Sequence, residues 1–224
     1  MNIIFGANSS MPATAKLTNG YTLFDWVMRK NCFPAFWGRN LGGENQITAE
    51  EIEFLREKDC KIALVLKDLT EAEVSEGGGF NHGIMAVRAA KELLVPQNSG
   101  IALFAEFQPE WSVNHNWMLG FARALNINGY VPGFIGNTDS SKNFNFGREC
   151  SHFAESSRYV NYFGAVFCAT EPKKEEMPEV WAPFSPSELE PEEIQLWATG
   201  ETKFKDITVD NVYARDDKVL ESMW

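Results

Sequence analysis

The stretch "IALFAEFQPEW", residues 101–111, begins with an apolar run that is followed directly by a carboxylate, Glu106. A continuous apolar run of this length predicts a buried strand of a parallel sheet, because such a strand is covered on both faces. Phe104, Glu106 and Gln108 share one face of this strand, because successive side chains point to opposite faces. The stretch therefore predicts a strand whose end directs a carboxylate and an amide toward the same place.

Apolar segments of this kind alternate with amphipathic stretches along the whole chain. Thr48 precedes Glu51 by three residues, a capping-box pattern that predicts the start of a helix, and Pro96 ends another helix. Eight alternating units are typical of a closed (β/α)8 barrel. The predicted strands are residues 2–7, 33–38, 61–66, 100–107, 129–136, 163–170, 179–184 and 194–199.

The 224 residues are therefore expected to form one α/β domain, a single TIM barrel that spans residues 1–224. Hydrophobic residues make up 44% of the chain, which is enough for a large core. The last third is expected to be irregular, because the segments 171–179 and 185–193 are polar and rich in proline and leave little room for full helices.

Charge and composition exclude several classes of function. The net charge is −11 and no lysines or arginines cluster, so we expect no nucleic-acid partner and no binding to an anionic membrane surface. No run reaches 18 apolar residues, and the N-terminal "MNIIFGANSS" lacks the features of a signal peptide. We expect a cytoplasmic protein, or one that is released without a signal peptide. The oligomeric state stays open.

Motifs for cofactors and metals are missing as well. The glycine-rich segment 75–83 lacks the lysine that follows in a phosphate-binding loop, so it predicts a turn and no cofactor. The histidines and cysteines lack the spacing of metal ligands, so no metal site is expected and buried free thiols are the favoured interpretation. These residues are His82, His115, His152, Cys32, Cys60, Cys150 and Cys168.

In a barrel of this kind the functional groups lie at the C-terminal ends of the strands. Glu106 is the strongest candidate for a catalytic group, because a partly desolvated carboxyl group has a raised pKa that suits acid or base catalysis. Alternatively, Glu106 is a strand-end acid bonded to a backbone N–H or to Arg39. The other candidates that follow predicted strands are Asn8, Arg39, Asp68, Gln108, Asn137, Thr170, Ser185 and Asp210.

Short motifs follow one another in a characteristic order: "FGANSS" (5–10), "FPAFWGRNLGG" (33–43), "FNHGIMAVRAAKEL" (80–93), "IALFAEF" (101–107), "INGYVPGFIGN" (127–137), "EVWAPF" (179–184), "IQLWATG" (194–200) and "ITVDNVYA" (207–214). In order and spacing they resemble the glycoside-hydrolase-like barrels of domain-of-unknown-function family 1906, which are distantly similar to the family 25 lysozymes. This resemblance covers nearly the whole chain and implies a TIM barrel that acts on a sugar polymer.

The resemblance also assigns candidate residues. The family's acid at the end of strand four corresponds to Glu106, while its acid on strand one corresponds to Asn8, which cannot ionise. The position two residues after the strand-four acid, acidic in the lysozymes, is Gln108. The family's arginine after strand two and its terminal aspartate are kept as Arg39 and Asp210.

Two functions remain open at this stage. The first is a glycoside-hydrolase-like enzyme for an amino-sugar polymer such as peptidoglycan, with Glu106 as proton donor. The second catalytic carboxylate of this enzyme would be Asp68, Glu110 or Asp210. Alternatively, the substrate's own N-acetyl group would replace the second carboxylate. The second function is an inactive carbohydrate-binding barrel. The residues expected to bind the sugar are Asn8, Arg39, Gln108, Asn137, Trp37, Trp111 and Trp181.

Overall fold

The computed structural model describes residues 2–139, 144–159, 165–171, 177–185 and 190–224. Eight strands close into one barrel in chain order, which confirms the predicted closed α/β barrel. The strands are β1 (Ile4–Asn8), β2 (Phe36–Asn40), β3 (Lys61–Leu66), β4 (Ala102–Glu106), β5 (Val131–Asn137), β6 (Val166–Thr170), β7 (Leu196–Phe204) and β8 (Ile207–Ala214).

Helices pack around the outside of this barrel. They are α1 (Leu23–Lys30), α2 (Ala49–Glu57), α3 (Glu71–Ser75), α4 (Gly79–Glu92), α5 (His115–Asn126) and α6 (Phe146–Tyr159), and short 3-10 helices span Pro191–Glu193 and Asp217–Ser222. Within the described ranges, none of the helices is both long enough and apolar enough to cross a bilayer.

The last strand departs from the regular (β/α)8 pattern. Strands β1 to β7 pair with their neighbours in parallel, whereas β8 is antiparallel to both β7 and β1. Only Lys205 and Asp206 separate β7 from β8, and a connection this short can join only antiparallel strands. The C-terminal segment is therefore the eighth strand of the barrel.

The predicted strand at residues 179–184 is wrong. This segment has no regular secondary structure and lies outside the sheet, and the segment 194–199 becomes part of β7. Trp181 is nevertheless buried, because its ring packs edge-on against Trp197 and its indole Nε1 donates to the backbone carbonyl of Pro191. The apolar character of this segment thus reflects a loop that covers the barrel wall.

Two separate apolar layers form the core. One lies between the barrel and its helices, and the other fills the barrel interior with residues that include Phe36, Val65, Phe104 and Leu196. A methyl group on Gly133 of β5 would clash with the ring of Phe104. A glycine is needed there because the phenylalanine fills the space where the side chain would be.

Helix α2 begins as the sequence predicts, but its acidic residue has a different partner. The Thr48 hydroxyl accepts from the backbone N–H of Glu51, while the Glu51 carboxylate turns inward and accepts from Arg39 Nε at 2.8 Å. The same carboxylate oxygen accepts from the backbone N–H of Ala13 at 2.6 Å. The pattern predicts the helix start correctly because one half of the capping box is formed.

Arg39 is fully buried at the centre of this network. Its Nη1 donates to the backbone carbonyls of Ser9 and Ser10, and its Nη2 donates to that of Asn45. Arg39 and Glu51 are both completely shielded from solvent. One ion pair therefore ties β2, α2 and the loops after β1 and β2 together.

We expect Arg39→Met to lower the free energy of unfolding by about 3–5 kcal/mol, because it leaves the Glu51 carboxylate buried without its counter-charge. Arg88→Met is the matched control, since Arg88 is exposed on α4 and its loss should change stability by less than about 0.5 kcal/mol. Urea denaturation of both variants measures the difference. Equal stabilities would contradict a stabilising role for the buried pair.

Candidate functional site

A cavity of about 240 Å³ opens at the C-terminal ends of the parallel strands. Its floor is apolar, with Phe36, Val65, Phe104, Ile135 and Leu196 among the lining residues. Its rim is polar. Residues at or just after strand ends contribute Asn8, Glu106, Gln108, Asn137, Thr170 and Glu171, and the interiors of β7 and β8 contribute Glu201 and Asp210. A cavity with an apolar base and a few convergent polar groups is the usual form of a small-molecule site.

Glu106, the last residue of β4, faces this cavity. Its carboxylate is about one-fifth exposed, and its Oε2 lies 3.1 Å from the Nζ of Lys67. Lys67 follows β3, so parallel pairing of β3 with β4 places the two charges side by side. The ionic partner of Glu106 is therefore Lys67, and Arg39 belongs to the buried network described above.

Across the barrel, three polar side chains occupy adjacent strands at one level. Asn8 pairs in register with Asp210, and Asp210 pairs in register with Glu201. The Asn8 amide Nδ2 donates to Asp210 Oδ2 at 3.2 Å. Lys203 Nζ lies 3.1 Å from Glu201 Oε2. A methyl group on Gly38 would lie 2.7 Å from Asn8 Oδ1, so the glycine leaves room for this amide.

A wider groove of about 580 Å³ continues from the cavity toward the solvent. Asn8, Glu106, Gln108 and Asp210 line both the cavity and the groove. The groove adds hydroxyl and charged groups from Ser9, Ser10, Lys67, Asp206 and Thr208. The carboxylates therefore lie where an enclosed pocket meets an open channel, an arrangement that can hold a chain longer than one small molecule.

Two acids at the cavity were missed by the sequence analysis. Glu171 directly follows β6 and Glu201 lies within β7. The strand-end rule applied after Thr170 would have indicated Glu171. Glu201 gave no such signal, because the predicted strand stops at 199 whereas β7 continues to Phe204 through a register shift between Ala198 and Glu201.

Several predicted site residues lie elsewhere. Asp68 is exposed and lines neither the cavity nor the groove, and Glu110 is likewise exposed outside both. Trp37 is fully buried and stacks on Phe24, while Trp111 packs against the outer core. These tryptophans and Trp181 are absent from the cavity lining, because each is needed to fill the layer around the barrel.

The remaining predictions converge on the cavity. Glu106, Gln108, Asn8, Asn137 and Asp210 all line it, although they come from four different strands and a loop. The Asn137 side-chain oxygen accepts from the backbone N–H of Asp139 at 2.8 Å, which fixes the orientation of its amide. The aromatic surfaces available to a ligand come from phenylalanines, including Phe36, Phe104 and Phe107.

Cys168 also lines the cavity, beneath the carboxylates. Burial, followed by the negative charges of Glu106 and Asp210, raises the pKa of the Cys168 thiol far above its ordinary value. A thiol is a good nucleophile only as the thiolate. Cys168 therefore remains protonated and belongs to the apolar base of the cavity.

Comparisons with known proteins support the fold. No protein-family model matches the chain, and no curated protein matches it. An uncharacterised protein of B. stearothermophilus is similar in structure, with a TM-score of 0.75 and 23% identity over 99% of this chain and 100% of that one.

Two enzymes are also similar in structure. The catalytic domain of endolysin ply40 from bacteriophage P40 of Listeria monocytogenes has a TM-score of 0.58 and 13% identity over 99% of this chain and 98% of that one. The bacterial lysozyme from Streptomyces coelicolor has a TM-score of 0.55 and 8% identity over 98% of this chain and 95% of that one. The chain has a glycoside-hydrolase-like barrel fold, while membership of family 1906 stays a prediction.

We expect Asn8→Asp to be less stable than the wild type at pH 7 by about 1–3 kcal/mol, because it places a second carboxylate against Asp210. The close pair raises one carboxyl pKa in the folded state above its unfolded value. The penalty is therefore complete above the folded pKa and disappears as the pH falls below the unfolded value, which is about 3.9.

Denaturation at pH 7 and at pH 4 measures this effect. Asn19→Asp is the control, because Asn19 is exposed and an aspartate keeps the oxygen that accepts from the Tyr21 N–H. The stability difference should shrink at pH 4 for Asn8→Asp alone. A difference that does not change with pH would argue against contact between the two carboxylates.

Proposed function

We propose that this protein is a glycoside hydrolase that cleaves an amino-sugar polymer such as peptidoglycan, with Glu106 as the proton donor. The observation that carries the proposal is the position of Glu106 inside a strand-end cavity that also contains Asp210. The endolysin domain and the lysozyme that share this fold support the substrate class. The apolar base and polar rim suit a sugar ring, which offers C–H faces and hydroxyl groups.

Glycoside hydrolysis commonly requires two carboxyl groups on opposite sides of the sugar. One protonates the leaving oxygen, and the other activates water or attacks the anomeric carbon. Strands β4 and β8 are four positions apart in a closed ring of eight, so Glu106 and Asp210 lie on opposite walls. We assign proton donation to Glu106 and the second role to Asp210. Asp68 and Glu110 lie outside the cavity and take no part.

Polar groups surround these two carboxylates. The Asn8 amide Nδ2 donates to Asp210 Oδ2 and holds this carboxylate at the cavity. The ammonium group of Lys67 lies 3.1 Å from Glu106 Oε2 and forms an ion pair with this carboxylate. Gln108 and Asn137 supply amides at the rim that can orient the N-acetyl group of the substrate.

An inactive carbohydrate-binding barrel is the second candidate. Two observations favour it: Asn8 and Gln108 stand where the resemblance places acids, and both line the cavity. An amide can hold a sugar hydroxyl but cannot exchange a proton with it at neutral pH. The two candidates share a ligand class and differ only in turnover.

Turnover on purified peptidoglycan tests the first candidate. We expect Glu106→Gln to lower the rate of reducing-end release by about 100-fold or more, because the amide cannot donate the proton. Asp210→Asn should cause a loss of similar size. Glu110→Gln is the matched control, since Glu110 lies exposed on the loop that follows Glu106, and this variant should retain full activity.

Full activity of Glu106→Gln would remove Glu106 from the mechanism. If the wild type releases no product from peptidoglycan or chitin fragments, the enzyme proposal is overturned.

Calorimetric titration with soluble peptidoglycan fragments tests the second candidate. A binding barrel should give saturable heat without any product, and Asn137→Ala should weaken the affinity by about tenfold, because it removes one oriented amide. Ser99→Ala, at an exposed turn outside the cavity, should leave the affinity unchanged. Product formation during the titration would exclude a purely binding function.

A further inference from the structure

Outside the cavity, three side chains with metal-binding chemistry converge between α5 and α6. His115 is the first residue of α5, while Glu149 and His152 lie three residues apart on α6. One ligand atom from each residue lies within 4.8 Å of those of the other two. We infer that His115, Glu149 and His152 form a zinc site with two imidazoles, one carboxylate and a water molecule as ligands.

The distances fit a small tetrahedral ion. The Nδ1 atoms of His115 and His152 lie 2.9 Å and 3.8 Å from the same oxygen, Glu149 Oε2. Ligands bound at about 2.0–2.2 Å in a zinc tetrahedron are about 3.3–3.5 Å apart. The two distances bracket this value, so small rotations of the imidazole rings would admit the ion.

The carboxylate is already held in place. Arg148 Nε donates to Glu149 Oε1 at 3.1 Å, and the backbone N–H of His115 donates to Oε2 at 3.2 Å. Contacts of this kind orient ligands in metal sites.

The site is also accessible and anchored. The side chains of His115 and His152 are 31% and 46% exposed, which leaves an entry path and room for a water ligand. The Asn145 side chain bonds to both the N–H and the carbonyl of Val113, which fixes the start of α6 against the start of α5.

The types of the three ligands favour zinc over calcium or magnesium. Two imidazoles with one carboxylate suit zinc and the late first-row metals, whereas calcium and magnesium require mainly oxygen ligands. The Arg148 cation and the positive end of α5 oppose a metal ion, so we expect micromolar affinity. The ion would join α5 to α6, the helices that follow β4 and β5 in the chain.

Calorimetric titration of the full chain with zinc chloride tests this site. The titration uses a Cys32→Ser background, because Cys32 is an exposed thiol that could bind zinc on its own. We expect one saturable site, with affinity reduced by at least about 30-fold in His115→Ala and in His152→Ala. His82→Ala is the matched control, since His82 pairs with Glu73 away from the cluster, and it should bind zinc unchanged.

A spectrum separates ligation from an indirect effect on folding. Cobalt(II) added to the same background should give visible bands of a four-coordinate ion, and these bands should be lost in both histidine variants while circular dichroism shows that they remain folded. Absence of saturable zinc binding, absence of these bands, or zinc affinity that is unchanged in both variants would overturn the proposal. None of these measurements depends on hydrolase activity.

Discussion

The antiparallel entry of β8 between β7 and β1 is the constraint on which the candidate site depends. It places Asp210 in register with Asn8 on one side and with Glu201 on the other. In a barrel with eight parallel strands, the eighth strand would contribute only its C-terminal end to the rim. Here β8 runs away from the rim, so its early residues supply the acid, and the turn from β7 supplies the adjoining edge of the groove. The strand that closes the barrel therefore also supplies part of the candidate site.

Beneath this rim, the Arg39–Glu51 pair determines how the first two loops leave the barrel. Three backbone carbonyls accept from Arg39, and two of them belong to Ser9 and Ser10, which line the groove. The guanidinium group therefore holds the backbone of two groove-lining residues in place, although Arg39 itself does not line the groove. Removing Arg39 would leave the Glu51 carboxylate buried without its counter-charge. Arg39 therefore contributes both to the stability of the fold and to the shape of the groove.

The sequence predicts the barrel well, because buried parallel strands have a strong apolar signature that depends only on neighbouring residues. It also identifies Glu106, Gln108, Asn8, Asn137 and Asp210 as members of one cavity, since the barrel itself brings strand ends together.

Three other features could not be predicted in this way. Apolar periodicity cannot distinguish a strand from a buried loop, so the sequence predicts a strand at residues 179–184 where the structure has a loop. An aromatic side chain looks the same in sequence whether it faces a ligand or fills the core, so Trp37, Trp111 and Trp181 are predicted to bind sugar but pack in the layer around the barrel. The cluster around Glu149 joins residues 34 positions apart, a spacing that no local metal motif contains.

The cavity and the cluster between α5 and α6 lie at the same end of the barrel and are connected through the chain segments that follow β4 and β5. Gln108 and Pro109, in the loop after β4, line the cavity before the chain reaches His115. Asn137, the last residue of β5, lines the cavity upstream of Glu149 in the chain. A metal ion between the helices would restrain the loop after β4 from the outside, where it could not polarise a glycosidic oxygen. Under the proposed hydrolase function, the metal ion would therefore act through the position of the Gln108 amide at the rim, while the proton chemistry would stay with the carboxylates inside the barrel.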